Sequence, residues 1–100
     1  MHIRLINKSD FEEIFKMWKR SKLSLDTRKN EKREFDDMLA INPDTCFVAI
    51  YKNRTIGSIF GTTNGRRVFI FHLAVHPDWQ GQGIGKRLLK SIENPLKKRN

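Results

Sequence analysis

The sequence predicts an α/β domain of the α+β type, in which three helices pack against a mostly antiparallel sheet of about four strands. Apolar residues repeat at helical spacing before residue 43 and again after residue 83, but they form strand-like runs between residues 45 and 75. The Asn64-Gly65 dipeptide, ahead of the last run, is typical of a hairpin because both residues tolerate positive φ. Three consecutive antiparallel strands are therefore expected, with residues 1–6 as an additional edge strand.

The first predicted helix covers residues 10–20 and buries one apolar side, formed by Phe11, Ile14, Phe15 and Trp18. Ser9 followed three residues later by Glu12 predicts a capping box at its start. A second helix carries Phe35, Met38 and Leu39 on one side. It should end at Asn42-Pro43, because a residue before proline is disfavoured in helical conformation.

The strand-like runs are residues 46–51, 55–62 and 67–75. The last run is apolar at nearly every position, so we expect it to be covered on both faces. A third helix follows, marked by the apolar positions Ile84, Leu88, Leu89, Ile92 and Leu96. Pro95 predicts a kink or a stop near Asn94, because proline removes a helical hydrogen bond.

Composition places the chain among single-domain proteins, residues 1–100, without a membrane segment. With 38% hydrophobic residues it can form a core, and no apolar run approaches the roughly 20 residues of a membrane helix. The net charge of +9 and the pI near 10.1 favour an anionic partner. The single cysteine, Cys46, is interpreted as a buried apolar residue in a reducing compartment, so a cytoplasmic location is expected.

The segment with the clearest chemistry is Gln80-Gly81-Gln82-Gly83-Ile84-Gly85, between the last strand and the third helix. Amides at a helix start have no intrahelical partner, and glycines let a ligand approach the backbone closely. These features predict an anion site for a diphosphate, with Lys86 just beyond it. A Walker loop does not fit, since Arg87 stands where a hydroxyl is needed, and the spacing is wrong for a dinucleotide fingerprint.

The motif resembles one known family. Leu73-Ala74-Val75-His76-Pro77, a short gap, and Gln80-x-x-Gly83-x-Gly85 are similar to the central motif of the GNAT superfamily of acetyl-CoA-dependent N-acetyltransferases. The surrounding order of elements agrees over nearly all 100 residues, and it looks like a branch near the ribosomal-protein acetyltransferases. The resemblance implies a partial acyl-CoA N-acyltransferase fold.

The same resemblance assigns the cofactor-binding residues. Gln80 to Gly85, with Ile84 among them and Lys86 after them, would bind the diphosphate of acetyl-CoA or CoA. The main chain of Leu73, Ala74 and Val75 would pair with the pantetheine arm. The implied reaction transfers an acetyl group to an amine on a protein N-terminus or a small molecule, and no metal is implied.

Part of the family pattern is missing. Domains of this family continue with a further strand and a helix that often carries a tyrosine, whereas Tyr51 is the only tyrosine here. We therefore expect the chain to be the N-terminal two-thirds of such a domain, either truncated or completed by a second chain. The strand 68–75 would then form an open edge, which predicts self-association, such as a homodimer.

Candidates for catalysis are weaker. His72 is predicted to share a strand face with Ala74 and could relay a proton, although a half-buried structural histidine is the plainer interpretation. Glu31 and Glu34 lie near the second helix, which often lines the acceptor site in the family that the motif resembles, but they are interpreted as plain solvated charges. Trp79 either packs under the turn or flanks the cofactor.

Three functions remain open from the sequence. The first is an acetyl-CoA-dependent N-acetyltransferase, and the second is a CoA-binding fragment that lacks catalysis. A basic nucleic-acid-binding module is the third, but no basic stripe interleaved with aromatic residues supports it.

Overall fold

The structure, a computed structural model, describes residues 1–99. It contains three helices, two short 3₁₀ turns and four strands. In chain order they are β1 (His2–Leu5), a 3₁₀ turn (Lys8–Asp10), α1 (Phe11–Arg20), α2 (Arg28–Ile41), β2 (Cys46–Tyr51), β3 (Arg54–Thr63), β4 (Val68–Val75), a 3₁₀ turn (Pro77–Trp79) and α3 (Ile84–Arg99). Among these residues, no helix is both long enough and apolar enough to span a bilayer.

The four strands form one sheet in the order β1-β2-β3-β4, and every neighbouring pair is antiparallel. This confirms the predicted fold class, including the edge position of β1. The β2–β3 connection is a tight turn in which Lys52 and Asn53 both have positive φ, as in type I′ hairpins. The β3–β4 connection contains the predicted Asn64-Gly65. There the Asn64 Oδ1 accepts hydrogen bonds from the Arg66 and Arg67 amides.

The sheet separates two apolar clusters. On one face, α1 and α2 pack against the strands through aromatic residues of α1, α2 and β3, including Phe11, Trp18, Phe35 and Phe60. On the other face, α3 packs through Ile84, Leu88, Ile92 and Leu96. This arrangement leaves β4 at the edge of the sheet, followed directly by the turn that leads into α3.

The structure departs from three expectations about local structure. β4 is not covered on both faces: Val68, Phe69, Ile70, Phe71 and Leu73 are each 37–47% exposed. β4 is an edge strand, as predicted, and no element within the described residues covers its exposed apolar side chains. Apolar composition alone cannot distinguish a strand that is covered on both faces from an exposed one.

The other two corrections concern helix ends. α3 does not stop near Asn94 but continues through Pro95 to Arg99. The contacts with β2 and β3 fall on the turns before Pro95 and at Leu96, so packing on both sides of the proline compensates for the lost hydrogen bond. At the start of α1, the Asn7 amide donates to the Asp10 carboxylate, so the capping interaction lies in the preceding 3₁₀ turn and does not involve Ser9 and Glu12.

Candidate functional site

The turn between β4 and α3 has the geometry of an open backbone cradle. Gly81 and Gly83 both have left-handed φ, of +81° and +82°, which a residue with a Cβ rarely adopts. A Cβ built on Gly81, Gly83 or Gly85 would meet no atom within 4 Å. Backbone conformation therefore favours glycine at positions 81 and 83, whereas packing against the protein requires glycine at none of the three positions.

The amides of this turn point to no acceptor among residues 1–99. The first backbone hydrogen bond of α3 runs from the Arg87 amide to the Gly83 carbonyl, at 3.2 Å. Within residues 1–99, no carbonyl or side chain accepts from the six consecutive amides of residues 81–86. Together with the partial positive charge of a helix start, these free donors make a site suited to an anion.

The side chains of the turn have different roles. Ile84 is only 4% exposed and packs in the α3 cluster, so it anchors the helix and can offer a ligand only its main chain. Gln80 is exposed, and its Nε2 donates to the Val75 carbonyl at 3.0 Å, which ties the turn back to β4. Gln82 and Lys86 are exposed and point to no partner within the described residues. Val75, Trp79 and the turn enclose an open depression of about 470 Å³.

Trp79 lies beneath this depression. Its ring packs against Tyr51 with a centroid distance of 4.8 Å, and both rings contact the α3 cluster. Trp79 also lines the depression itself, so it both packs under the turn and flanks the space where a ligand would lie. Tyr51, on β2, therefore supports the turn through its contact with Trp79.

Along β4, the main chain of Leu73 and Val75 faces the open edge. The His76 amide donates to the Ile56 carbonyl, and Ala74 pairs with Ser58, so the alternating residues between them face away from β3. The Val75 carbonyl, however, already accepts from Gln80 Nε2 and from Ser21 Oγ at 3.2 Å. The Val75 amide and the Leu73 main chain are therefore the groups left at this edge, and Ala74 faces inward with its side chain buried.

His72 occupies a β-bulge in this strand. Ser58 pairs with Ala74 whereas Phe60 pairs with Phe71, so β4 contains one residue more than β3 across this interval. His72 has a φ of +50°, and such left-handed backbone is uncommon outside glycine. The bulge brings the side chains of His72 and Phe71 to the same side of the sheet as Ala74, which faces α1 and α2.

A buried hydrogen-bond chain holds the bulge. Trp18 Nε1 donates to Ser58 Oγ at 2.8 Å, and Ser58 Oγ donates to the His72 carbonyl at 2.9 Å. The His72 ring lies 4.5 Å from the Trp18 ring and 5.5 Å from the Phe60 ring, measured between centroids. Strained backbone of this kind persists only where surrounding contacts fix it, and it is concentrated at functional sites.

Beside His72, a cavity of about 320 Å³ opens between α2 and β4. Glu31 lines it from the first turn of α2 and is only 4% exposed, so the expectation of a solvated Glu31 is wrong. Its Oε2 accepts from the Asp26 amide at 2.8 Å, and its Oε1 lies 3.3 Å from His72 Nε2. Glu34 is exposed, as expected, at the same cavity.

Sequence reasoning did not find the pairing of Glu31 with His72, nor the role of Ser58. Glu31 and His72 are 41 positions apart in the sequence, and no spacing rule links them. The only available signal was an acidic residue in the first turn of a helix, which is common on protein surfaces. No group of three or more His, Cys, Asp or Glu that could hold a metal occurs among the described residues.

Comparisons with known proteins agree on one family. The model of the acetyltransferase (GNAT) family matches residues 11–100. An acetyltransferase of Sodalis glossinidius is 34% identical over 96 residues, which are 96% of this chain and 67% of that protein. The chain thus spans about two thirds of the length of this relative.

Solved structures show the same fold at lower identity. The ribosomal-protein-S18-alanine N-acetyltransferase from Escherichia coli superposes with a TM-score of 0.79 at 19% identity, covering 98% of this chain and 60% of that one. Diaminobutyrate acetyltransferase from Paenibacillus lautus, in complex with L-2,4-diaminobutyric acid and coenzyme A, gives 0.76 at 21% identity, covering 93% and 56%.

Proposed function

Because the chain belongs to the acetyltransferase (GNAT) family, we propose that it transfers the acetyl group of acetyl-CoA to an amine, acting in the cytoplasm as one domain over residues 1–100. The acceptor is a protein N-terminus or a small amine. Two neighbours in fold illustrate this range, since one is named for the alanine of a ribosomal protein and the other is in complex with a diamino acid.

One observation carries the proposal: the six consecutive amides of residues 81–86 have no acceptor within the described residues. Backbone N–H groups at a helix start cost free energy when they have neither water nor another acceptor. Pairing them with an oxyanion is favourable. A diphosphate offers several such oxygens in a short span, and Lys86 adds a mobile positive charge at the same place.

The pantetheine arm of the cofactor would extend along the open edge of β4. There the Val75 amide and the Leu73 main chain can form strand-like hydrogen bonds with its amide groups. Such pairing would fix the direction of the thioester relative to the sheet. The main contribution of the protein to such a transfer is to hold the amine and the thioester carbonyl in line for reaction.

A second function is a CoA-binding domain without turnover. The observation that favours it is the position of Tyr51, the only tyrosine of the chain, which packs against Trp79 on β2. No tyrosine is therefore available beside β4 to protonate a departing thiolate. Both functions use the same turn. Ligand binding therefore tests the turn, and turnover of acetyl-CoA tests the transfer chemistry.

Thermal stabilisation by CoA, desulfo-CoA and duplex DNA, measured in parallel, provides the first test. We expect CoA and desulfo-CoA to raise the melting temperature equally, because both contain the diphosphate, and DNA to have a smaller effect. A shift with DNA alone would contradict the proposal in favour of a nucleic-acid-binding protein. Acetyl-CoA turnover with a panel of amines then separates the transferase from the binding domain.

A further inference from the structure

We propose that a cavity between α1, the start of β3 and His76 is a second anion site, which binds the phosphate group of a small phosphate ester. The cavity has a volume of about 330 Å³. We call it the basic cavity, because Lys16, Lys19, Arg20 and Arg54 line it together with His76. This inference goes beyond the proposed function and does not depend on it.

The basic cavity collects positive charge from two elements. Lys16, Lys19 and Arg20 come from α1, and Arg54 comes from the start of β3. One carboxylate, that of Glu13, also lines the cavity, and it lies 3.6 Å from the Lys16 Nζ. Both partners of this ion pair are exposed, so it is weak and leaves an excess of positive charge. Four cations beside one carboxylate match a dianion, such as a phosphate monoester, better than they match a single carboxylate group.

The two arginines have the donor geometry that a phosphate needs. Within the described part of the chain, neither the Arg20 nor the Arg54 side chain forms an ion pair or a hydrogen bond with another residue. A guanidinium presents a planar fork of donors that binds two phosphate oxygens at once. Because they come from different elements, the two guanidinium groups can share the terminal oxygens of one phosphate ester.

A buried histidine adds a directed donor. His76 is only 6% exposed, and its Nδ1 accepts from the Asp78 amide at 3.1 Å, so the ring hydrogen is on Nε2. The exposed Asp78 carboxylate is also near Nδ1, at 3.9 Å, and does not line the basic cavity. Within residues 1–99, Nε2 has no acceptor. No fully buried side-chain nitrogen or oxygen of these residues lacks a partner, so Nε2 reaches open space, and the basic cavity is the space that His76 lines.

The shape of the basic cavity favours a small ligand over a nucleic acid. Its cations converge on one depression and do not form a stripe, and no Phe, Tyr or Trp among the described residues lines it. A nucleobase would therefore find no ring to stack on. The volume falls in the lower part of the range of small-molecule sites, about 300–1,000 Å³. Asn53 and Thr55 offer hydrogen-bonding groups for the rest of the ester.

The basic cavity is separate from the glycine-rich turn. No described residue lines both the basic cavity and the depression beside Gly81 and Gly83, so the two sites can be occupied together. Two methionines distinguish this cavity from the one between α2 and β4. Met17 is 2% exposed and lines the basic cavity, whereas Met38 lines the other cavity.

Titration of the whole chain with inorganic phosphate, in the presence of saturating CoA, tests the site. In a ¹H–¹³C methyl spectrum at constant ionic strength, we expect the Met17 methyl resonance to shift until it saturates, while the Met38 resonance does not move. Sodium chloride at the same ionic strength should move neither. The Gly83 amide resonance reports CoA binding in the same sample, so failure of the turn and failure of the basic cavity are seen separately.

Two variants test the residues of the basic cavity. His76→Asn keeps an acceptor for the Asp78 amide, because asparagine is a favoured N-cap residue, but removes the Nε2 donor. Arg54→Gln removes one guanidinium. Each should weaken phosphate binding about tenfold, as expected for loss of a hydrogen bond to a charged group. The matched control Arg66→Gln, exposed in the β3–β4 hairpin, removes the same charge and should leave the phosphate affinity unchanged.

A Met17 resonance that ignores phosphate, or that moves equally with chloride, would overturn this inference. Unchanged phosphate affinity in either His76→Asn or Arg54→Gln would also overturn it. Equal losses in Arg54→Gln and Arg66→Gln would show that phosphate responds only to net charge. A hexaglutamate peptide that shifts Met17 at lower concentration than phosphate would replace the phosphate ester with an acidic protein partner.

Discussion

The glycine-rich turn of residues 80–86 and the cavity between α2 and β4 meet the same strand, but they are built in opposite ways. The turn is a continuous segment of six residues whose donors are main-chain amides. The cavity combines side chains from α1, α2, β3 and β4, and its central contact joins residues 31 and 72. A backbone site tolerates changes of side chain except where glycine is needed, whereas a side-chain site depends on each group and on the packing that holds it.

This difference explains how the two regions should respond to mutation. The turn has open space around its glycines, so substitutions there change binding more than stability. In the cavity, His72 depends on Ser58 and Trp18, which are buried in the core. Substitutions that break these contacts should therefore lower stability.

The largest expected effect is at the turn. Gly83→Glu should weaken CoA binding about 100-fold or more, because a like charge in an anion site costs several kcal/mol and left-handed φ disfavours the new side chain. Isothermal titration calorimetry measures the change. Gly65→Glu is the matched control, since Gly65 also has positive φ and open space but lies in the β3–β4 hairpin. Equal affinities of Gly83→Glu and the unsubstituted chain would refute the cradle.

The strand that the two regions share is expected to make the chain self-associate. Five apolar residues of β4 are exposed along an edge without a strand partner in the described residues, and such edges pair with other chains. We expect dimers or larger species at tens of micromolar, roughly where exposed edges associate. Phe69→Lys should shift the population to monomer, whereas Leu5→Lys, on the opposite edge strand β1, should not. A monomer of the unsubstituted chain in analytical ultracentrifugation would count against this prediction.

Stability should fall when the support of the cavity is removed. Ser58→Ala leaves the buried Trp18 Nε1 without its acceptor and releases the His72 carbonyl, so we expect a loss of about 1–3 kcal/mol in the free energy of unfolding. Urea denaturation measures it. Ser91→Ala, a partly exposed serine that donates to the Arg87 carbonyl within α3, should change stability by less than about 0.5 kcal/mol. Similar losses of stability in both variants would show that the buried hydrogen bonds of Ser58 contribute no more than an exposed serine.

The smallest effect concerns an ion pair outside both regions. The hydrogen bond from Arg4 holds the pKa of the Asp10 carboxyl below its ordinary value, and the Asn7 amide adds to this, whereas burial opposes it. A depressed carboxyl pKa contributes stability above its unfolded value, about 4, and this contribution is lost as the pH falls through the folded pKa. Because the pair is partly exposed, we expect only about 0.2–1 kcal/mol.

Asp10→Asn should remove that part of the acid dependence of unfolding, measured by urea denaturation between pH 2 and 6, without changing CoA binding at neutral pH. A pH dependence identical to that of the unsubstituted chain would show that Asp10 does not contribute.

Local patterns predicted the fold class well, because each element depends mainly on neighbouring residues. The helical spacing of Phe11, Ile14, Phe15 and Trp18, the Asn64-Gly65 hairpin and the order of the strands are all confirmed. Prediction failed where a distant partner decides the outcome. Pro95 remains within α3 because the sheet supports the helix on both sides of it. The apolar side chains of β4 are exposed because no element among the described residues packs over them, although the open edge of this strand was predicted.

By itself, the sequence determined the position of the glycine-rich turn before α3, since glycine conformation and a helix start are local properties that three glycines at alternating positions encode directly. Only the tertiary structure decided that Glu31 is buried, that His72 lies in a bulge and that the two side chains meet. Burial and side-chain contact depend on which distant elements pack together. The reactivity of a glutamate or a histidine depends on its burial and on the groups beside it, and the fold sets both.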